Sequence, residues 1–186
     1  MDKINEAFSK ISRADFIPTS IRARSNLDIP LPIGYGQTIS QPLTVKRMLR
    51  WLDVQSGDKI LDVGSGSGWT SALLSYITDP KGCVVAVERV PELMEFGKTN
   101  CKKYNIKNIR FKLAHKNSYG WFNESPYNRI LVSASASVLP PELLDQLKIS
   151  GKLVIPVKND ILEITKKSKN KFDTIIHQGY IFVPLI

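Results

Sequence analysis

Short apolar runs alternate along the chain with segments of helical length that carry small or amphipathic patterns. The apolar runs predict strands at 59–63, 83–87, 109–113, 128–133 and 151–157, and the segments between them predict helices at 68–78, 91–104 and 139–148. Strands that alternate with helices require right-handed crossovers between parallel strands. We therefore expect an α/β fold, a doubly wound and mostly parallel sheet of about seven strands with helices on both faces.

The C-terminal part of the chain has a different pattern. Apolar residues within 161–165 and 173–183 predict two further strands. The Lys-rich stretch 165–171 between them predicts the tip of a hairpin. We expect these two strands to form an antiparallel C-terminal edge of the sheet.

The segment before the first predicted strand carries helix signals and loop signals in turn. Apolar residues at helical spacing predict a short helix closed by Pro18, followed by a second short segment at 19–24. Two prolines and two glycines within 27–36 predict an ordered loop rather than a helix or a strand. Another helix is predicted to begin near Pro42, with an apolar face made of Val45, Met48, Leu49 and Leu52.

Length and composition limit the classes of protein. The 186 residues suffice for one α/β domain with a full core, and 42% apolar with 23% charged residues are typical of a soluble globular protein. We expect a single domain, in which 1–54 form N-terminal helices and a site loop and 55–186 form the core. No apolar run reaches the roughly 20 residues that span a bilayer, and the N-terminus has no apolar stretch of a signal peptide. We expect a cytoplasmic protein that does not act at a membrane.

The net charge of +9 has two interpretations. A basic chain can bind nucleic acid, but the lysines are scattered apart from those in 165–171, which favours a solvated lysine-rich surface. We expect a monomer that does not bind nucleic acid and whose positive surface attracts anionic substrates. Cys83 and Cys101 lack metal-ligand spacing and the chain has only His115 and His177, so a metal site is not expected.

The strongest chemical signal is a glycine-rich turn between a predicted strand and a predicted helix. Asp62 ends the strand, and Gly64, Gly66 and Gly68 follow at alternate positions. Glycine lets a ligand approach the backbone closely, and the N–H groups at a helix start receive anionic or polar groups. Glu88 ends the next strand, at the distance where a βαβ unit places a ribose-binding carboxylate. A flexible turn is the alternative, and a nicotinamide site is disfavoured because it would read G-x-G-x-x-G.

The candidate segments follow strands at the same edge of the predicted sheet. Residues 64–68, Glu88, 114–118 and 133–135 each come directly after a strand. Ligands of doubly wound sheets bind outside the carboxyl ends of the strands, so we expect one site there. Upstream, Ser40 stands just before a predicted helix, where it is either an ordinary N-cap or an active-site residue.

The sequence resembles the protein-L-isoaspartate (D-aspartate) O-methyltransferases, a family of class I S-adenosylmethionine-dependent methyltransferases with a Rossmann-like core. The resemblance covers almost the whole chain. The glycine motif at 61–68 is shared by many methyltransferases, whereas Gly-Gln-Thr-Ile-Ser-Gln-Pro at 36–42 is much narrower and carries the resemblance. Further matching segments are 13–18, 30–36, 126–130, 139–148, 151–157 and 182–185.

The resemblance implies a protein-repair enzyme. Such enzymes transfer the methyl group of S-adenosylmethionine to the carboxylate of L-isoaspartyl or D-aspartyl residues in damaged proteins and peptides, and release S-adenosyl-L-homocysteine. A carboxylate is already ionised at pH 7, so the reaction needs positioning and exclusion of water but no general base. The implied active-site residues are Ser40 and Thr38. The implied cofactor contacts are Gln37, Ile39, Asp62, Gly64, Ser65, Gly66, Ser67, Gly68, Glu88, Lys116 and Asn117. The implied substrate contacts are Ile33, Gly34, Tyr35, Val183, Pro184 and Leu185.

The chain departs from the family pattern near the expected adenine site. Family members usually carry Gly-Asp-Gly after the third strand, with the aspartate on the adenine amine, whereas this chain has His115, Lys116 and Asn117. A protonated lysine cannot accept a hydrogen bond, although the amide oxygen of Asn117 can. Two alternatives therefore stay open, a methyltransferase with another acceptor and a non-catalytic relative with weakened cofactor binding.

Overall fold

The computed structural model describes residues 2–116 and 118–185, which fold around one large sheet and a separate hairpin. The hairpin consists of β1 (Leu31–Gly34) and β2 (Gln37–Ile39). The strands of the large sheet are β3 (Lys59–Val63), β4 (Cys83–Glu88), β5 (Ile109–Leu113), β6 (Tyr127–Val132), β7 (Leu147–Val157), β8 (Asp160–Ser168) and β9 (Lys171–Gln178). The helices are α1 (Lys3–Lys10), α2 (Pro42–Leu52), α3 (Trp69–Thr78), α4 (Pro91–Lys102) and α5 (Pro141–Asp145), with 3-10 turns at Arg13–Phe16, Thr19–Arg24 and Phe122–Glu124.

The large sheet has the order β5-β4-β3-β6-β7-β8-β9. Neighbouring strands from β5 to β7 are parallel, whereas β8 is antiparallel to both β7 and β9. This arrangement confirms the predicted fold, a mostly parallel doubly wound sheet with an antiparallel C-terminal edge. The chain places β4 and β5 on one side of β3 and then crosses to place β6 and β7 on the other side. Such a switch point between β3 and β6 leaves a crevice outside the strand ends.

The central strands are buried on both faces, because successive side chains of a strand point to opposite sides. On one face the core includes Leu49 of α2, Leu73 of α3 and Leu93 of α4. On the other face Leu61 and Val85 pack with Leu143 of α5. Helices cover both faces, as the alternation of strands and helices predicted. None of the helices within the described residues is long and apolar enough to cross a membrane.

The predicted loop at 27–36 proved wrong in part, because its second half is a strand of the β1–β2 hairpin. Leu31 pairs with Ile39 and Pro32 with Thr38 in an antiparallel ladder. Gly34 and Gly36 have positive φ values of 95° and 70° and make the turn. The prolines and glycines were interpreted as a loop signal, but the hairpin places them at its edge and at its turn, where they are tolerated.

The predicted helix at 139–148 is shorter than expected. Helix α5 ends at Asp145, and β7 begins at Leu147, which pairs with Tyr127. The helix ends there because the chain joins the sheet, where the backbone carbonyl oxygen of Gln146 accepts from the N–H of Tyr127 at 2.9 Å. The buried side chain of Gln146 also donates to the carbonyl oxygen of Tyr119 at 2.8 Å and accepts from the backbone N–H of Trp121 at 2.8 Å. These are long-range contacts that helical periodicity does not encode.

The two C-terminal strands form the predicted hairpin, and its tip lies within the Lys-rich stretch. The second strand ends earlier than predicted, at Gln178, since Gly179 turns the chain with a φ of 86°. The chain then returns to the carboxyl edge of the sheet. There the backbone N–H of Ser135 donates to the carbonyl oxygen of Val183 at 2.8 Å, and that of Leu185 donates to Ser135 at 2.8 Å.

Candidate active site

A cavity of about 450 Å³ lies at the carboxyl ends of the parallel strands. Three parts of the chain surround it: the segments after β3 to β6, the β1–β2 hairpin and the C-terminal tail. The predicted site residues that line it are Ile33, Gln37, Thr38, Gly64, Gly66, Glu88, Lys116, Val183, Pro184 and Leu185. The structure therefore brings together residues that are as far apart in sequence as Ile33 and Leu185, which are 152 positions apart.

The glycine loop, residues 64–68, forms one wall of this cavity. The backbone N–H groups of Gly64 and Ser65 both donate to the carbonyl oxygen of Val87, at 2.9 and 3.1 Å. Gly66 has a φ of 52°, and a Cβ atom there would lie 3.2 Å from Cδ1 of Ile33 in the hairpin. The hairpin thus packs directly over the loop, and glycine keeps the distance short.

Gly68 and Ser67 do not line the cavity; they lie where α3 begins and packs against α4. Gly68 caps α3 with a φ of 88°, and a Cβ atom there would lie 3.0 Å from Cα of Gly97 in α4. The carbonyl oxygen of Ser67 accepts from the side-chain amide of Asn100 at 3.1 Å. The third glycine of the motif therefore allows α3 and α4 to pack closely.

Glu88 holds the glycine loop and lines the cavity at the same time. One carboxylate oxygen accepts from the backbone N–H of Gly66 at 2.7 Å. The other accepts from the backbone N–H groups of Arg89 at 2.8 Å and Val90 at 2.9 Å. A carboxylate offers about four acceptor positions, so one remains for a donor in the cavity.

Asp62, two residues before this loop, and Ser65, within it, are buried and do not line the cavity. Oδ2 of Asp62 accepts from the hydroxyl of Ser71 at 2.5 Å. Its Oδ1 and the hydroxyl of Ser65 have no hydrogen-bond partner within the described residues. Burial raises the pKa of Asp62 to about 7, the bond from Ser71 opposes that rise and the charge of Glu88 adds to it.

The site residues predicted in the hairpin have three different environments, which are the cavity wall, the hydrophobic core and the exposed turn. Gln37 and Thr38 line the cavity, whereas the side chain of Ile39 is buried in the hydrophobic core. Gly34 and Tyr35 form the exposed turn and lie outside the cavity wall. The alternation of a strand explains why Ile39 points away from the cavity that its neighbour Thr38 lines, because successive side chains point to opposite sides.

Ser40 is not the N-cap of α2, which corrects one of its two interpretations. The helix begins at Pro42, so that Gln41 occupies the capping position. Ser40 is half-buried two residues beyond Thr38, outside the cavity wall, and its carbonyl oxygen accepts from Arg13 at 3.0 Å. With the capping role removed, its assignment as an active-site residue stays a prediction.

The end of the cavity after β5 carries the departures from the family pattern. Lys116 lines the cavity beside His115, whose ring stacks on Trp121 with a centroid distance of 4.6 Å. Asn117 lies outside the described residues, so its predicted contact with the cofactor is not tested. The site residues that sequence analysis missed include Arg89, Val90, Tyr119 and Gly120. Arg89 and Val90 directly follow a strand, and the same rule that selected Glu88 points to them.

The residues present fit S-adenosylmethionine. Two buried polar atoms, Oδ1 of Asp62 and the hydroxyl of Ser65, lack partners within residues 2–116 and 118–185, and both flank the glycine loop. Buried polar groups are normally hydrogen-bonded, so a polar ligand at the loop would complete the set. A carboxylate suits the ammonium group of the cofactor, and the remaining acceptor position of Glu88 suits a ribose hydroxyl.

Comparisons with known proteins agree with this geometry. The family model for protein-L-isoaspartate(D-aspartate) O-methyltransferase matches residues 1–186. A protein-L-isoaspartate O-methyltransferase of Methanopyrus kandleri is 41% identical over 189 positions, which cover 100% of this chain and 84% of the relative. A solved protein-L-isoaspartate O-methyltransferase superposes with a TM-score of 0.88 at 27% identity, and the chain spans 61% of its length. A Plasmodium falciparum relative, solved in complex with S-adenosyl-L-homocysteine, has a TM-score of 0.85 at 31% identity and is covered over 91% of its length.

The sheet order, the glycine loop after β3 and the carboxylate at the end of β4 define a Rossmann-like, S-adenosylmethionine-dependent methyltransferase. Within that class, the chain belongs to the protein-L-isoaspartate(D-aspartate) O-methyltransferase family. The predictions of family, fold, enzyme class and cofactor are confirmed. The individual contacts with cofactor and substrate stay predictions.

Proposed function

We propose that the cavity catalyses methyl transfer from S-adenosylmethionine to the side carboxylate of isoaspartyl and D-aspartyl residues in damaged proteins and peptides. The meeting of the glycine loop, the hairpin residues Gln37 and Thr38, and the tail at one cavity is the observation that carries this proposal. The loop offers a cofactor site, and the hairpin and the tail offer two walls for a peptide. Membership of the family supports the choice of acceptor.

The reaction requires few catalytic groups from the protein. S-adenosylmethionine supplies an electrophilic methyl group on a sulfonium, and a carboxylate that is ionised at pH 7 attacks it without a general base. The task of the protein is to align the carboxylate oxygen with the methyl group and to exclude water, which together contribute several kcal/mol. Thr38 lies at the cavity wall and Ser40 two residues further on, so we assign them to hydrogen bonds that orient the carboxylate.

The peptide is proposed to lie between the hairpin and the tail. Ile33 on one side and Val183, Pro184 and Leu185 on the other line the cavity. These side chains are apolar, and they contact a peptide without selecting a particular sequence. A binding mode that depends on shape and backbone agrees with damage that occurs in many sequence contexts. Exposed Gly34 and Tyr35 at the hairpin tip are proposed to contact residues that flank the isoaspartyl group.

Calorimetric titration with S-adenosyl-L-homocysteine, followed by transfer of a radiolabelled methyl group, tests this function. The acceptor is an isoaspartyl peptide, and the control is the same peptide with a normal aspartyl residue. We expect binding of S-adenosyl-L-homocysteine and transfer to the isoaspartyl peptide alone. Binding without transfer would favour another acceptor, and absence of binding would favour the non-catalytic alternative that Lys116 motivates.

A Ser40→Ala variant tests the assignment within the site. Loss of one hydrogen bond made in the transition state is expected to lower kcat by about 10-fold or more, with little change in the Kd of S-adenosyl-L-homocysteine. Ser9→Ala is the matched control, because the Ser9 hydroxyl donates to the carbonyl oxygen of Glu6 on the exposed surface of α1. Equal kcat values for the two variants would remove Ser40 from the active site.

A further inference from the structure

A single buried arginine connects the segments on both sides of the hairpin. Arg13 begins a 3-10 turn in the N-terminal region, and only 6% of its surface is exposed. Its two terminal guanidinium nitrogens carry four N–H groups and lie within hydrogen-bond distance of five backbone carbonyl oxygens, so that one N–H group is shared between two of them. These belong to Ser25 at 3.1 Å, Leu27 at 3.0 Å, Ile29 at 2.8 Å, Ile39 at 3.3 Å and Ser40 at 3.0 Å.

The five carbonyl groups lie at the two ends of the hairpin. Residues 25–29 precede β1, and Ile39 and Ser40 end β2 or follow it. A two-stranded hairpin is only marginally stable by itself, so its position depends on what holds its ends. Arg13 fixes both ends at one point, and the segment between them carries Gln37 and Thr38 of the cavity wall.

The same guanidinium group also lies over the ring of a buried tryptophan that follows the glycine loop. It lies 5.7 Å from the centre of the Trp69 ring. Trp69 is the first residue of α3 and directly follows the glycine loop, and its buried indole donates to the carbonyl oxygen of Ile11 at 3.4 Å. Arg13 therefore connects the segment that carries Ser40 with the first residue of the helix that follows the glycine loop.

The choice of arginine is costly in free energy, which distinguishes it from ordinary core packing. Burial lowers the pKa of Arg13 to about 10, and the negative charge of Asp28 offsets part of that effect. The side chain is still charged at pH 7. Its Nε atom is buried without a partner within the described residues. An apolar side chain would avoid these costs, but it could not bond to five carbonyl groups from a rigid planar fork.

We propose that Arg13 is a positioning residue for methyl transfer, which sets the distance between the segment carrying Thr38 and Ser40 and the glycine loop. This proposal rests on the proposed function. It assigns to Arg13 the alignment of the acceptor carboxylate with the methyl group, without contact with either reactant. A displacement of about 1 Å in such a site can lower the rate by about 100-fold.

Kinetics of Arg13→Lys and Arg13→Gln test the proposal. Lysine keeps the charge but has only three donors at one point, so it cannot bond to all five carbonyl groups. We expect kcat to fall by about 10- to 100-fold in both variants, while the Kd of S-adenosyl-L-homocysteine and the KM of the isoaspartyl peptide stay within about 3-fold. Arg22→Lys is the matched control, because the exposed Arg22 donates to the carbonyl oxygen of Ala14 at 3.1 Å and pairs with Asp15 at 3.7 Å on the surface.

Three results would overturn the proposal. The first is an unchanged kcat in both variants, and the second is a loss of cofactor affinity that matches the loss of kcat. The third is the failure of both variants to fold, because Arg13 would then be needed for stability alone. Hydrogen exchange gives a readout that does not depend on activity. We expect faster exchange in 25–40 of Arg13→Lys with unchanged exchange in 64–68, and this result stays interpretable if the wild-type protein fails to methylate isoaspartyl peptides.

Discussion

Replacement of Asp62 by asparagine is expected to change how the stability of the protein depends on pH. Asp62 is fully buried in β3, and one of its carboxyl oxygens has no hydrogen-bond partner within the described part of the chain. Burial raises its pKa to about 7 in the folded protein. In the unfolded chain the group has an ordinary pKa near 4. Between these two values the folded state therefore binds more protons than the unfolded state.

The sign and the size of the effect follow from this difference. Where the folded state binds more protons, the free energy of unfolding falls as pH rises. The contribution of Asp62 is therefore lost progressively from about pH 4 to pH 7 and is constant above that range. With one pKa unit equal to about 1.4 kcal/mol, the change between pH 5 and pH 7 amounts to about 2 kcal/mol. Asparagine does not titrate, so Asp62→Asn lacks this dependence.

Urea unfolding at pH 5, 6, 7 and 8, followed by tryptophan fluorescence, measures the difference. The free energy of unfolding of Asp62→Asn should rise relative to that of the wild-type protein by about 2 kcal/mol from pH 5 to pH 7. Asp173→Asn is the control, because Asp173 is exposed and paired with Lys167 at 3.1 Å. Parallel curves for the wild-type protein and Asp62→Asn would refute the reasoning, since they would mean that Asp62 ionises normally in the fold.

The same variant tests the proposed contact with the cofactor. An ammonium group beside Asp62 would favour the ionised carboxylate, so binding of S-adenosyl-L-homocysteine should release a proton and become tighter as pH rises through 7. Asp62→Asn should bind more weakly and without this pH dependence. An identical pH dependence of Kd in both proteins would place Asp62 outside the cofactor site.

Two further variants test the glycine loop and its support. Glu88→Gln replaces a carboxylate that accepts three backbone N–H bonds. The Kd of S-adenosyl-L-homocysteine, measured by calorimetry, should therefore rise by about 10-fold or more. The exposed control Glu95→Gln should leave this Kd unchanged. Gly68→Ala adds a Cβ atom 3.0 Å from the backbone of Gly97. The control is Gly57→Ala, because Gly57 has the same φ of 88° but open space around it. Gly68→Ala should lower the free energy of unfolding by about 1–3 kcal/mol more than the control. Equal losses in the two glycine variants would show that close packing is not the function of Gly68.

Much of the sheet could be predicted because its information is local. The run 83–87 is continuously apolar, as a strand buried on both faces requires, and β4 covers Cys83–Glu88. The acidic residue at its end and the glycines after β3 needed no knowledge of distant contacts, since strand ends of one direction meet at one edge. That rule located Gly64, Gly66 and Glu88 at the cavity.

Other parts of the site were decided by contacts between distant residues. Periodicity extended the predicted helix to 148, but the helix ends at Asp145 because Gln146 and Leu147 pair with Tyr127 of β6. The motif placed Ile39 with the cofactor contacts, but the pairing of β1 with β2 turns its side chain into the core. Neither outcome is visible in the residues adjacent to these positions.

Local sequence patterns were enough to predict the succession of strands and helices, the glycine loop and the acidic residue at the end of the next strand. They were enough because backbone preferences and burial patterns repeat over a few neighbouring residues. Three features became visible only in the folded chain. Ser40 does not cap α2, the tail returns to Ser135, and Arg13 bonds to carbonyl groups as far along the chain as Ser40. These features depend on which surfaces pack together, and packing is settled by the whole fold rather than by any one segment.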